Sequence, residues 1–251
     1  MKVDKFRTVI IYIIIILLGL VCLLPLLNIV AISFSSSAAV EGNMVGLIPV
    51  GFSTAAYKKI LEDSQFWHSF LISVERVVLT LIINFVLIVL MAYPLSKTNA
   101  QFRGRNIYAN LMIFAMLFNG GMIPTFLLVK SYGLLNTVWA LVLPGAVPIF
   151  NVILVMNFFA AVPKELEEAA FIDGANPLQV LTKIFIPISK PVLATVSLFS
   201  IVGSWNDFYS GLIYMSKATY YPLMTYIQSL QINERLPVRF RYFVSMKSTS
   251  V

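Results

Sequence analysis

Five stretches of this chain are long and apolar enough to cross a lipid bilayer as helices, and no other feature limits the fold as much. They are Val9–Phe34, Val77–Leu95, Ile107–Val129, Val138–Ala161 and Val192–Met215. A helix needs about 20 predominantly apolar residues to span the hydrocarbon. None of the five contains lysine or arginine, and Asp207 is the only carboxylate within them. Of the 251 residues, 59% are hydrophobic and 12% charged. A soluble domain carries about 25% charged residues, so a soluble helical domain of this size has no means of hiding the apolar surface. The expected class is an all-α polytopic membrane protein. No repeat or linker-rich boundary divides it, so residues 1–251 read as one domain.

The first stretch follows Lys2, Lys5 and Arg7, as a signal peptide would, and "SFSSSAA" after it resembles a cleavage site. Its apolar run is much longer than the roughly 7–15 residues of a signal sequence, so a retained helix is expected. Orientation follows from the basic residues, which favour the cytoplasm. The N-terminal tail and the loop "SKTNAQFRGRN", with Lys97, Arg103 and Arg105, are separated by two spans and fall on the same, inner side. Residues 35–76 are then outside. Within them "TAAYKKILEDSQFWHSFLISVER" reads as an amphipathic surface helix, with Phe66 and Trp67 at the interface and Arg76 snorkelling from its end. The net charge of +7 would suggest nucleic acid in a soluble protein. Here the basic residues flank apolar runs, so lipid is the expected contact and nucleic acid is not. Cys22 has no second cysteine to pair with.

The fourth and fifth stretches are joined by a polar segment on the inner side, residues 162–191. Pro163 can start a helix, and "KELEEAAFIDGA" favours one as far as Gly174, which readily takes positive φ. Asn176 and Pro177 then open a second helix as N-cap and first helical residue, and Pro187 and Pro191 end it. The loop therefore reads as two helical arms. Ala169, Ala170, Phe171 and Ile172 supply a face able to pack on a partner, and the ordinary alternative is an amphipathic loop at the membrane surface.

The order Glu168-Ala169-Ala170, three residues, Gly174, nine residues, Ile184, one residue, Ile186-Pro187 resembles the EAA loop of importer permeases of the ATP-binding cassette (ABC) class. Isoleucine replaces the usual leucine before the proline. "AYPLSK", "NGGMIPTF", "GLLNTVWALVLPGAV" and "SWNDF" extend the resemblance from the first span to the fifth, toward the branch importing sugars and complex oligosaccharides. The resemblance implies a type I ABC importer transmembrane fold in the bacterial plasma membrane. It implies ATPase coupling through Glu168, Ala169, Ala170, Asp173, Gly174, Ile184 and Pro187. Its implied partners are a second homologous permease, separate ATPase subunits and an extracytoplasmic solute-binding protein. No cofactor is expected. No phosphate-binding loop is present, so ATP hydrolysis is expected on another polypeptide, and one histidine with one cysteine excludes a Cys/His cluster built from this chain alone.

Polar residues inside spans mark candidate sites. Asp207 lies about 23 Å along the fifth span from its inner end. With Trp205, Asn206 and Tyr209 it makes a group suited to a sugar, whose C–H face stacks on aromatics while amides and carboxylates bond its hydroxyls. The ordinary alternative is a bond from Asp207 to a neighbouring helix. Asn84, Asn119, Asn151 and Asn157 read as interhelical hydrogen-bonding groups, and Pro124, Pro144 and Pro148 as kinks. Such permeases have six spans, whereas residues 220–232 are too few to cross, and the basic tail around "RFRYFV" would lie outside. That implies a final span lost between about Asn233 and Tyr242, by truncation, internal deletion or gene-model error, and a chain so shortened is expected to be impaired. The competing function is an ion-coupled carrier or channel, which needs a charged residue central in a span. A scaffold or sensor would need a soluble output domain.

Overall fold

The structure is a computed structural model, and it describes residues 5–118 and 120–235. The described residues are helical, with turns and no strands. In a bilayer this follows from the backbone: with no water in the hydrocarbon, a single segment satisfies its own N–H and C=O groups only as a helix. The helices are α1 (Lys5–Ser33), α2 (Ser37–Glu41), α3 (Ala55–Glu62), α4 (Ser64–Leu95), α5 (Arg105–Leu117), α6 (Met122–Ser131), α7 (Val138–Val142), α8 (Ile149–Ala160), α9 (Lys164–Ile172), α10 (Pro177–Val180), α11 (Ile186–Ile188), α12 (Lys190–Asn206), α13 (Tyr209–Tyr214) and α14 (Leu223–Arg235). The chain divides into two compact units, Met1–Trp67 and His68–Val251.

In the first unit the apolar run of α1 is exposed on every face, and Ala31 near its end is buried. After it the chain folds back on itself. Asn28 donates to Gly46 O at 2.7 Å, and Phe34 stacks on Phe52 with ring centroids 5.7 Å apart. The expected single amphipathic helix over residues 54–76 is not formed. Asp63 interrupts it in extended conformation, and its carboxylate accepts from Gln65 N at 2.9 Å. That capping bond ends α3 and starts α4, so residues 64–76 belong to the same continuous helix as the second span.

By length and composition two single helices can cross, and up to five crossings result if each of three bent pairs counts as one span. The single helices are Arg7–Ser33 and Ser64–Leu95, and the bent pairs are Arg105–Leu117 with Met122–Ser131, Val138–Gly145 with Ile149–Ala160, and Pro177–Ile188 with Lys190–Asn206. The first two expected stretches fall on single helices, whereas the third bends by 111° between α5 and α6, the fourth bends by 47° between α7 and α8, and the last bent pair joins the second arm of the polar loop to only the first part of the fifth stretch. Pro144 and Pro148 sit at a 47° bend between α7 and α8, because proline lacks the N–H that would continue the ladder. Pro124 causes no kink, since it lies in the first turn of α6, where that N–H is not required. Asn119 lies outside the described residues.

The fifth stretch is also interrupted. Its helix ends at Asn206, Asp207 takes an extended conformation (φ −76°, ψ 104°), and the short α13 follows. At its start α12 meets the preceding helical arm at 84°, next to the fully buried Ser189.

Helix α4 organises the second unit. Its buried positions are Ser69, Ser73, Arg76, Thr80 and Asn84 in the first half, then Ile88, Val89, Ala92 and Leu95. The spacing of three and four residues makes one stripe, polar at one end and apolar at the other. The opposite face, including Val78, Ile82, Val86 and Leu90, is apolar and exposed. A helix in lipid gains nothing by hiding apolar side chains from water. Its buried stripe is set by packing and hydrogen bonding to other helices. The apolar half of the stripe joins Val152, Val155 and Phe159 of α8, Phe185, and Val196 of α12 in one core. Near the other end, Ser73 Oγ accepts from Leu223 N at 2.8 Å, tying the start of α14 to α4. The 13 described residues of α14 cover about 20 Å. The residues from 236 onward, with most of the inferred lost span and the basic tail, lie outside the described residues.

Candidate functional site

Two sites emerge, one at each end of the α4 stripe. The first is a cavity of about 290 Å³, close to the lower end of the range for ligand pockets, about 300–1,000 Å³. It is lined by Arg76, Thr80 and Asn84 of α4, Asn151 of α8, and Ser200, Ser204 and Asp207 at the break in the fifth span, among others. Arg76 does not snorkel. It is 4% exposed, and its guanidinium pairs with the Asp207 carboxylate while donating to Asp207 O at 2.9 Å. The other carboxylate oxygen of Asp207 accepts from Tyr209 N at 3.0 Å and Ser210 N at 3.1 Å, capping α13. Asp207 thus terminates one helix, starts the next and neutralises a buried cation.

The Asn84 amide lies 3.2 Å from Ser200 Oγ in either orientation, and with its nitrogen toward Ala146 O it reaches that carbonyl at 3.0 Å. This is the interhelical bonding expected of it. Asn151 is buried and lines the cavity, whereas Asn157 is exposed. Arg76 Nε and Thr80 Oγ1 are buried without a hydrogen-bond partner, so the wall retains both donor and acceptor capacity.

The four residues expected to form a sugar-binding group do not come together. Asp207 lines the cavity; Trp205, Asn206 and Tyr209 do not. Trp205 packs edge-on against Phe70 with centroids 6.0 Å apart. Asn206 donates back to Val202 O at 2.9 Å, and Tyr209 donates to Met122 Sδ at 2.9 Å. Their spacing on a continuous helix suggested a cluster, and the break at Asp207 disperses it. Arg76, Thr80, Ser200, Ser204 and Ser210 are among the lining residues not anticipated from the sequence. For Arg76 and Thr80 the available signal was the three- and four-residue spacing of polar side chains along α4.

The second site is the polar loop. Glu165 and Glu167 occupy the first turn of α9, where carboxylates complement the partial positive charge of a helix N-terminus. Gly174 closes the helix at φ +81°. Its N–H reaches Phe171 O at 3.1 Å and the next N–H, of Ala175, reaches Ala170 O at 2.9 Å, the paired bonds of a Schellman ending. Asn176 then caps the second arm in a capping box with Gln179, each bond 2.9 Å. Glu168, Ala169, Asp173 and Gly174 are exposed, together with Phe171 and Ile172, the latter 86% exposed. Ala170 and Ile184 instead pack on the core, contrary to the expectation that Ala170 belongs to the open face. Pro187 is exposed and does not end the second arm as expected: it lies in the first turn of α11, the arm runs on to Ile188, and Pro191 falls in the first turn of α12.

Glu167, outside the recognised motif, is buried and pairs with Lys97 at 2.7 Å. Burial pushes the Lys97 ammonium below its ordinary value, against the upward pull of the Glu167 bond. The Lys97 Nζ also lies 4.0 Å from the Tyr93 ring centroid and 4.2 Å from that of Phe185.

A bundle of broken apolar helices with a polar cavity at a helix break and a rigid, exposed two-arm loop defines a membrane permease component. Residues 84–246 match the family of binding-protein-dependent transport system inner membrane components, and the chain belongs to that family. It is 42% identical to protein LplC of Bacillus subtilis over 214 residues, covering 85% of this chain and 72% of LplC. It is 40% identical to the polygalacturonan/rhamnogalacturonan transport system permease protein YtcP of the same organism, covering 91% of this chain and 79% of YtcP. A bacterial ABC transporter involved in the import of the acidic polysaccharide alginate contains a chain that superposes with a TM-score of 0.85 at 32% identity, covering 99% of this chain and 88% of that one. The fold is that of a type I ABC importer transmembrane domain.

Proposed function

We propose that this chain is one of two permease subunits of an ATP-driven importer for sugars or oligosaccharides, with its N-terminus in the cytoplasm. In this reading residues 162–191 dock on a separate ATPase through Glu168, Ala169, Asp173, Gly174 and the exposed Phe171 and Ile172. Ala170 and Ile184 hold the arms on the core, and Pro187 helps turn the second arm into the fifth span. The cavity at Asp207 contributes to the substrate path, Arg76, Asn84, Asn151 and Ser200 supplying groups for sugar hydroxyls. A solute-binding protein delivers the sugar from outside.

The observation that carries this reading is continuity. The second arm of the exposed loop runs through one bend into α12, and α12 ends at the polar cavity. A rigid-body displacement of a docked ATPase therefore has a short covalent route to the site. The experiment is capture of the ATPase from membranes by a tagged permease, paired with uptake of labelled oligosaccharide. Ile172→Asp should lower ATPase capture at least tenfold, about 1.4 kcal/mol, with a matching fall in uptake. Undiminished capture would sink the docking role. For an ion-coupled carrier, an ionophore would abolish uptake at constant ATP. Asp207 is a poor candidate for that chemistry because Arg76 already neutralises it.

A further inference from the structure

A lysine at the cytoplasmic end of a span ordinarily extends its ammonium into water. Lys97 does not. Its side chain is 11% exposed and that of its partner Glu167 is 10% exposed. Three segments meet on this pair. Tyr93 comes from the inner end of α4, and its hydroxyl donates to the same Glu167 oxygen at 3.4 Å. Glu167 comes from α9, the first arm of the loop. Phe185 comes from the π-helical turn of the second arm, 5.1 Å from Tyr93 between ring centroids and nearly perpendicular to it. Taking two charges out of water is costly, so a buried pair is weak evidence of stability for its own sake. Such a pair does supply a directional attachment that apolar packing lacks.

In the first half of the same helix, Arg76 holds the Asp207 carboxylate and backbone at the break in span five. The distance from Arg76 to the end of α4 is about 28 Å at 1.5 Å per residue. The loop is covalently joined to the fourth and fifth spans, through α8 and α12, but has no covalent link to the second span.

We propose that Lys97 and Glu167 are positioning residues forming a latch that attaches the two-arm loop to α4, which then acts as a strut between the loop and the Arg76–Asp207 clamp at the cavity. This inference rests on the reading that the loop docks an ATPase. A displacement of the loop is then delivered to the cavity from two sides, through α12 by covalent continuity and through α4 by the latch. Loss of the latch leaves docking intact and makes ATP hydrolysis less productive.

The test uses the assembled transporter, purified through its ATPase and reconstituted in liposomes with its binding protein. The readout is sugar imported per ATP hydrolysed. Lys97→Met and Glu167→Gln should each capture ATPase at wild-type levels and hydrolyse ATP, with sugar imported per ATP falling about tenfold. Lys97→Arg, which keeps the charge, should recover most of the ratio. The double variant Lys97→Met/Glu167→Leu removes both charges while filling the space, so it should fold with a wild-type melting temperature and remain uncoupled. An unchanged ratio in the single variants, or full coupling in the apolar double variant, overturns the latch alone. So does a fall in uptake that merely tracks lost ATPase capture. A wild-type chain that captures no ATPase overturns the docking reading and the latch with it.

Discussion

Arg76 lies immediately before the second apolar stretch, and the chemistry of a long basic side chain allows it two opposite fates there. It extends to the headgroups, or it turns inward if a carboxylate waits for it. The structure takes the second course because Asp207, 131 positions away in the chain, is freed by the helix break to meet it. No local pattern carries that pairing. Removing one partner of a buried pair leaves the other charge uncompensated, typically at about 3–5 kcal/mol. The Asp207 side chain is 28% exposed, so Arg76→Met should fall toward the low end, about 3 kcal/mol. Thermal unfolding in detergent would register this as a lowered melting temperature. Arg76→Met/Asp207→Leu should recover part of the loss, and a single variant as stable as wild type would mean that the pair contributes no stability.

At the scale of elements, what the sequence disclosed depended on how local the determining forces are. The bend between the two arms was legible nearly to the residue, since helix ending and capping act over four or five positions. Gly174 stops α9, and Asn176 with Gln179 starts α10. Gly174→Ala should therefore cost about 1 kcal/mol from its left-handed conformation. It should also reduce uptake by displacing the second arm, while retaining insertion of the chain in the membrane. Wild-type uptake and stability in this variant would show that the bend tolerates a side chain. The breaks within the spans were less legible, because hydropathy averages over them. Asp207 and the Pro144–Pro148 turn sit inside stretches that satisfy any apolar window. The amphipathic stretch before the second span was misread for a related reason. One carboxylate, Asp63, caps α4 and divides a pattern that periodicity alone joins.

For the whole molecule, five apolar stretches were enough to establish the class, whereas charge placement left the basic tail on the outer side, against the positive-inside trend. Which faces meet was hidden, because in lipid the exposed surface is as apolar as the core. The cavity at the end of α12 carries a further consequence. The last four carbonyls of any helix lack intrahelical donors, and Gly203 and Ser204, whose carbonyls belong to that turn, line the cavity. Main-chain acceptors are indifferent to which hydroxyl approaches them. On the proposed sugar path, a wall built partly from backbone would discriminate weakly among saccharides and leave selection to whatever presents the cargo. Exchanging the binding protein for one that recognises a different oligosaccharide of similar size should redirect uptake without changing a residue here. Failure of the exchanged system to import the new sugar, with ATP still hydrolysed, would place the filter inside the membrane. If the exchange succeeds, one permease sequence is compatible with a varied diet, and its host can alter what it consumes by replacing a single secreted protein.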